Sequence, residues 1–291
     1  MIRMGAIQIG LTGWGDHHSL YDHPGAVRDK LPAYAGHFPI VELDSSFYAI
    51  PPARNVEKWL ADTPESFQFV VKAYQGMTGH QRGEIPFTTK TEMFQAFTDA
   101  FLPMKQAGRL GMVLCQFPPW FDVKREHVDY LRFMREALRE FDTALEFRHA
   151  SWFSDQFMDR TLAYMEEDTW IHSICDEPQA GEKSIPFVPY VTDTEKTLMR
   201  FHGRNIAGWN APVNGEEWRD VRYLYDYSRT ELSGLAKEIQ AISGKCRETC
   251  VVFNNNSGGH AAANAKQMID LLGIEYHNLA PRQLDLFQTD D

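Results

Sequence analysis

The chain has 291 residues, 43% hydrophobic and 13% aromatic, enough to bury a sizeable core in one large domain or two small ones. A formal net charge of −11 excludes a protein that coats DNA or an anionic membrane by bulk attraction, and leaves room for a locally basic pocket. The four cysteines, Cys115, Cys175, Cys246 and Cys250, lie mostly in apolar runs and read as reduced core thiols; Cys246 and Cys250 alone make a weak zinc pair. Met1 to Leu11 has no signal-peptide core, and no apolar run reaches ~18 residues, so a cytoplasmic protein without a membrane span is expected.

Ala6 to Leu11 reads as a buried strand closed by Thr12-Gly13-Trp14-Gly15, with a helix following from Gly25 to Gly36. Pro39 to Asp44 is a second strand and Val56 to Ala61 a helix. Phe67 to Lys72 is a third strand, whose loop carries Tyr74, Thr78, Gly79 and His80. A helix from Thr89 to Met104 leads to the strand Leu110 to Gln116, then Phe117-Pro118-Pro119-Trp120. The amphipathic stretch Arg125 to Arg139 precedes a fifth strand, Thr143 to Phe147, and a helix from Ser154 to Glu167 precedes a sixth, Thr169 to Asp176. After a proline-containing loop come the strand Thr197 to His202, a polar aromatic insertion and a helix from Arg229 to Ile242. Thr249 to Phe253 is the eighth strand and Ala261 to Leu272 the last helix.

Eight short apolar strands alternating with helices, with no linker between them, predict an α/β fold with a parallel sheet. Eight units in this length match a single (β/α)8 TIM barrel over residues 1–280, followed by a tail, 281–291. The competing doubly wound sheet lacks a phosphate-binding fingerprint after the first strand.

In such a barrel the C-terminal strand ends converge on one face, where sites are built. Here those ends carry Trp14, Glu42 and Asp44, Lys72 and His80, Gln116, Glu146 with Arg148 and His149, Asp176, His202 with Arg204, then Asn254, Asn255 and His260. Lys72, Arg148 and Arg204 suit a cationic pocket for phosphate or carboxylate. The opposing account is that they pair with Glu42, Asp44, Glu146 or Asp176 and only neutralise the rim. Ser257-Gly258-Gly259 opens the last helix, where free N–H groups favour an anion, or where Ser257 simply caps the helix. Glu146, His202, Asp176 and Lys72 are the candidates for proton transfer. A metal could draw on Glu42, Glu146, Asp176, His202 and His260, but the neighbouring cations disfavour one, and no organic-cofactor motif is present. Trp14 and Tyr48 are placed to stack on a substrate ring. Glu146 and Arg148, two residues apart, should point to one side of their strand and His149 to the other.

Gly10-Leu-Thr-Gly13-Trp14, Val41 to Tyr48, Gln116-Phe-Pro-Pro119, Leu145 to Trp152, Arg200-Phe-His-Gly-Arg204 and Phe253-Asn-Asn255 together resemble the YecE-like family, a domain of unknown function (DUF72). The resemblance implies a (β/α)8 barrel related in fold to endonuclease IV and sugar-isomerase barrels, without an established reaction. It maps onto Glu42, Lys72, Gln116, Glu146, Arg148, His149, His202, Arg204 and Asn254. Gly15-Asp16-His17-His18 departs from the aromatic-rich first loop of that family, and the many-ligand zinc set of endonuclease IV is not reproduced. In the tail, Gln283, Leu284, Leu286 and Phe287 are similar to the short peptide by which bacterial replication and repair proteins bind the sliding clamp.

The reading that follows is an enzyme acting on a phosphorylated or anionic substrate, in its DNA-linked form a phosphodiesterase- or nuclease-like hydrolase. Catalysis falls to Glu146, His202, Asp176 and Lys72. Binding falls to Glu42, Gln116, Arg148, Arg204, Asn254, Asn255, Gly258, Gly259, Trp14 and Tyr48. The alternatives are a sugar-phosphate isomerase or lyase, and a non-catalytic nucleic-acid adaptor tethered to the clamp.

Overall fold

Eight strands, β1 (Ala6–Thr12), β2 (Ile40–Leu43), β3 (Gln68–Lys72), β4 (Leu110–Gln116), β5 (Thr143–Glu146), β6 (Ile171–Asp176), β7 (Lys196–Phe201) and β8 (Glu248–Phe253), pair in chain order, all parallel. β8 pairs back onto β1 over Ala6 to Leu11, which closes the barrel. This computed structural model describes residues 5–21, 28–81, 83–181, 184–210 and 221–282. The described helices are α1 (Lys30–Ala35), α2 (Ser45–Tyr48), α3 (Ala53–Ala61), α4 (Lys90–Gln106), α5 (Arg125–Ala137), α6 (Met158–Glu167), α7 (Ile206–Asn210), α8 (Arg229–Ser243) and α9 (His260–Leu272). None of them is long and apolar enough to cross a membrane.

The helix starts follow local chemistry. Thr89 accepts the Glu92 N–H ahead of α4, and Ser228 and Glu231 form a reciprocal capping box ahead of α8. The sequence expectation and the structure differ between β5 and α6. The helix expected from Ser154 begins only at Met158, because Ala150–Phe153 form a separate 3-10 turn. His149 causes this: its Nδ1 accepts the Ser151 N–H and lies 2.8 Å from the Ser151 hydroxyl, capping the turn. The imidazole is thereby committed to the backbone, in line with the expectation that it faces away from Glu146 and Arg148. The short α2, directly after β2, had no signature in the sequence pattern. Within the helix expected over 25–36, Lys30–Ala35 forms a helix.

Strand alternation sorts the barrel into two apolar layers. Ile40, Val70, Met112, Leu114, Ala144, Ile171, Leu198, Cys250 and Val252 fill the interior as one closed cluster. Val41, Val71, Val113, Leu145, Met199 and Val251 face the other way and join the cluster containing Phe97, Phe101, Leu131, Met134, Ile239 and Met268 from the helices. All four cysteines are free thiols and buried. Interior parity continues upward from Ile40 to Glu42, Val70 to Lys72, Leu114 to Gln116, Ala144 to Glu146, Leu198 to Arg200 and Val252 to Asn254. The same pleat that packs the barrel therefore delivers its polar groups to the C-terminal mouth, above a dry floor.

Closure also depends on Gly10. It is in register with Ile40 across β1 and β2, and a Cβ there would lie 2.0 Å from the Ile40 carbonyl oxygen. Overpacking of this kind costs about 1–3 kcal/mol. Gly10→Ala should therefore lower the Tm by roughly 2–5 °C in thermal unfolding followed by circular dichroism. An unchanged Tm would show that the two strands part without cost.

Candidate functional site

Arg200 marks the point at which the barrel interior changes from apolar to charged. Its fully buried guanidinium donates from Nε and Nη2 to the two oxygens of Glu42, at 2.8 and 2.6 Å. Nη1 donates to Glu146 Oε2 at 2.7 Å. The other Glu146 oxygen accepts from Arg148 Nε at 2.7 Å, and Arg148 Nη1 donates to Glu177 Oε2 at 2.6 Å. Glu177 Oε1 accepts the Ile185 N–H at 2.8 Å, and the Ser173 hydroxyl donates to Glu146 Oε2 at 3.1 Å. The product is an unbroken run, Glu42–Arg200–Glu146–Arg148–Glu177, with every side chain between 0% and 2% exposed.

Burial and charge alternation pull the protonation of this run in opposite directions, and at Glu42 burial wins over Arg200 and raises the carboxyl. Burial alone would raise the Glu146 carboxyl, but Arg148 and Arg200 hold it well below the usual carboxylate range. Burial pushes Glu177 up to about 7, against the opposing pull of Arg148 and the Ile185 N–H. His202 is fully buried beside both guanidiniums; burial first, then Arg148 and Arg200, lower its pKa well below the ordinary imidazole value. Its Nε2 lies 2.9 Å from Arg148 Nη2 and its Nδ1 lies 2.9 Å from the Asn254 amide. A guanidinium can only donate, so Nε2 accepts and the neutral ring carries its proton on Nδ1. The Asn254 amide must then turn its oxygen towards that proton.

The remaining expected residues divide into two groups. Lys72, 14% exposed, stands beside the run, with Nζ 3.0 Å from Asp44 Oδ1 and 4.8 Å over the Phe47 ring. Gln116 Oε1 is a long 3.5 Å from Arg200 Nη1. Asp176 and Arg204 form their own pair, with Asp176 accepting from Arg204 Nε and Nη2 and from the Tyr227 hydroxyl. Asn255 is turned away, donating to the Tyr225 carbonyl and to Asn264. Trp14 packs edge-on against Trp59, at 6.0 Å between rings. At the last helix, the Gly259 N–H donates to the Asn256 carbonyl and His260 Nδ1 lies 3.7 Å from Asp226. Gln283, Leu284, Leu286 and Phe287 lie outside the described residues.

Two expectations are therefore revised. Lys72, Arg148 and Arg204 are each paired with a carboxylate, as the opposing account held; Arg148 is buried in its pairs, whereas Arg204 is 39% exposed. Glu146 is fixed between two guanidiniums and is a poor proton acceptor. Sequence reasoning missed Arg200, Glu177, Arg222 and Tyr223. Arg200 was detectable, since a cation inside an apolar strand at the parity of Leu198 and His202 must enter the barrel. Glu177 and Tyr223 lie in irregular segments without a period to read.

A ligand atom each from Glu146, Cys175 and His202 lie within 4.8 Å of one another. The trio does not fit a cation. Both Glu146 oxygens and His202 Nε2 already accept from guanidiniums, and burial raises the Cys175 thiol well above its ordinary value.

Fold and site define a (β/α)8-barrel protein with a desolvated ion network at the end of the barrel where such folds place their active sites. A family model described as "Protein of unknown function DUF72" matches residues 8–286, and the chain belongs to that family. It is 59% identical over 281 residues to the UPF0759 protein YunF of Bacillus subtilis (strain 168), covering 97% of this chain and 100% of that one. To the UPF0759 protein YecE of Escherichia coli (strain K12) it is 29% identical over 159 residues, 54% of this chain and 53% of that one. Among solved structures, a DUF72 family protein from Enterococcus faecalis V583 superposes with a TM-score of 0.89 at 39% identity, covering 96% of this chain and 100% of the other. One from Thermotoga maritima MSB8 gives 0.76 at 31% identity, covering 92% and 100%.

The network makes a specific demand. Arg200→Met leaves Glu42 and Glu146 buried with one cation fewer, a change that costs about 3–5 kcal/mol when a buried pair is broken. Arg204 is 39% exposed, so Arg204→Met should cost clearly less. Urea denaturation of the two variants compares them directly, and equal losses would show that Arg200 is not the keystone.

Proposed function

We propose that the protein is an enzyme acting on a small phosphorylated or otherwise anionic substrate at the C-terminal mouth of the barrel. The observation that carries this reading is the burial of five ionisable side chains at that mouth. Replacing a buried ion network with apolar packing is often neutral or stabilising, so such a network in this position suggests a preorganised site rather than a device for stability. In this reading Glu42, Arg200, Glu146 and Arg148 form a fixed electrostatic frame, and Lys72 contacts the anion from the part of the mouth that solvent reaches. Glu177, which burial pushes up to about 7, is the group of the frame able to take up a proton near neutrality, while His202 stays neutral between Arg148 and Asn254.

The isomerase or lyase alternative calls for a carboxylate tuned towards neutrality to take a proton from carbon, a part that suits Glu177 and not Glu146. Ribose 5-phosphate should stabilise the protein by about 2.7 kcal/mol at a hundredfold excess over its Kd. Ribose should not stabilise it, and Lys72→Met should remove the effect. If neither ribose 5-phosphate nor inorganic phosphate raises the Tm, the reading fails.

A link to DNA replication or repair rests separately on Gln283, Leu284, Leu286 and Phe287. A synthetic peptide of residues 281–291 should bind purified bacterial sliding clamp in fluorescence anisotropy, and replacing both Leu286 and Phe287 by Ala should abolish binding. No binding by the native peptide would leave the DNA-linked and adaptor readings without support.

A further inference from the structure

One wall of the mouth is made of rings. Tyr48 closes α2 and Trp120 follows β4, and each is 53% exposed although both stand at the rim of a buried site. Between them lie Phe47 and His80. The Phe47 centroid is 5.2 Å from Tyr48 and 5.1 Å from His80, and His80 is 6.0 Å from Trp120, all edge to face. The Thr78 hydroxyl, 2.9 Å from His80 Nδ1, fixes the imidazole in this row. Burial, then Lys72 and Arg148, bring the His80 pKa down to about 4, so the row is uncharged at neutral pH. Lys72 Nζ sits 4.8 Å over Phe47, placing one cation against four rings.

Other rings close round the same space. Tyr223 is near enough to act electrostatically on both Lys72 and Arg148. Its ring lies 6.0 Å from His202 and 6.3 Å from Trp209, and the Arg222 guanidinium lies 4.3 Å over Trp209. A single exposed aromatic residue is ordinary on a protein surface. Two half-exposed rings at the ends of a fixed aromatic row, beside a lysine at the mouth of a barrel, match a ligand that joins a flat ring to an anion.

We propose that this wall is a nucleotide subsite, in which a nucleobase stacks on Trp120 while Lys72 holds the phosphate. The assignment rests on the anionic-substrate reading above and names the group attached to the anion. Aromatic stacking accepts any base, because each presents a π-face.

The test compares AMP with ribose 5-phosphate, which carries the same sugar and phosphate without the base, by isothermal titration calorimetry on the full chain. Base stacking on an aromatic side chain contributes about 1–3 kcal/mol. AMP should therefore bind roughly five- to a hundredfold more tightly than ribose 5-phosphate. Trp120→Ala should bring the two affinities together, and Trp120→Phe, which keeps a ring, should restore most of the difference. Because Trp120 is half exposed, an unchanged Tm of the unliganded variant serves as the control for folding. If AMP binds no more tightly than ribose 5-phosphate, the nucleotide subsite is overturned while the anion site stands. If neither binds, both fall. A preference for AMP that survives Trp120→Ala puts the base elsewhere and also overturns the assignment.

Discussion

Arg200 holds two carboxylates that the chain places 104 positions apart, Glu42 on β2 and Glu146 on β5, and it does so from β7. Each of these three side chains would be prohibitively unfavourable in the barrel alone, because an ion loses far more hydration than an apolar surrounding returns. Together they satisfy each other with short, charge-assisted hydrogen bonds. The rest of the mouth follows from this contact. Glu146, fixed by Arg200, presents its second oxygen to Arg148; Arg148, fixed in turn, reaches Glu177 and His202. Two guanidiniums beside one imidazole leave no room for a third positive charge, so His202 is neutral and Asn254 completes its bonding.

The dry floor gives this arrangement its strength. Leu114, Ala144, Leu198 and Val252 lie one pleat below the charged layer and keep water from reaching it from beneath. In such surroundings a charge exerts its field with little screening, so the frame can act on a ligand at the mouth without rearranging. A network built for stability alone has no reason to occupy the one end of the barrel where eight loops converge. The residues at the water side differ in kind. Lys72 is 14% exposed and paired with Asp44, and Tyr48 and Trp120 are half exposed. Rigid charge within and accessible rings and cation without is an order suited to binding a ligand from solution.

Much of the fold was legible in the chain. All eight strands could be placed from short apolar runs, since each strand is covered by helices on one face and by the barrel interior on the other. β4 has the ends expected of it, Leu110 and Gln116, because Gly108 and Phe117-Pro118 punctuate both sides. The departures have local causes: His149 caps a 3-10 turn that delays α6, and α2 is a single turn, too short to show a period. The strand-end residues Glu42, Glu146, Arg148, His202 and Asn254 were also visible, as polar groups that end apolar runs.

The sequence by itself determined the alternation of elements, the barrel they form, and which polar residues stand at its C-terminal end, because those properties depend on neighbours within a few positions. It did not determine what those residues do to one another. Whether Arg148 holds a ligand or a carboxylate depends on Glu146 and Glu177, and whether Arg200 is solvated or buried depends on Glu42 on the far side of the chain. Electrostatic energy depends on distance and desolvation, and both exist only once the barrel has closed. Tertiary structure therefore turned a list of candidate acids, bases and cations into a locked frame around a neutral His202, with Lys72 and the aromatic rim left at the water side.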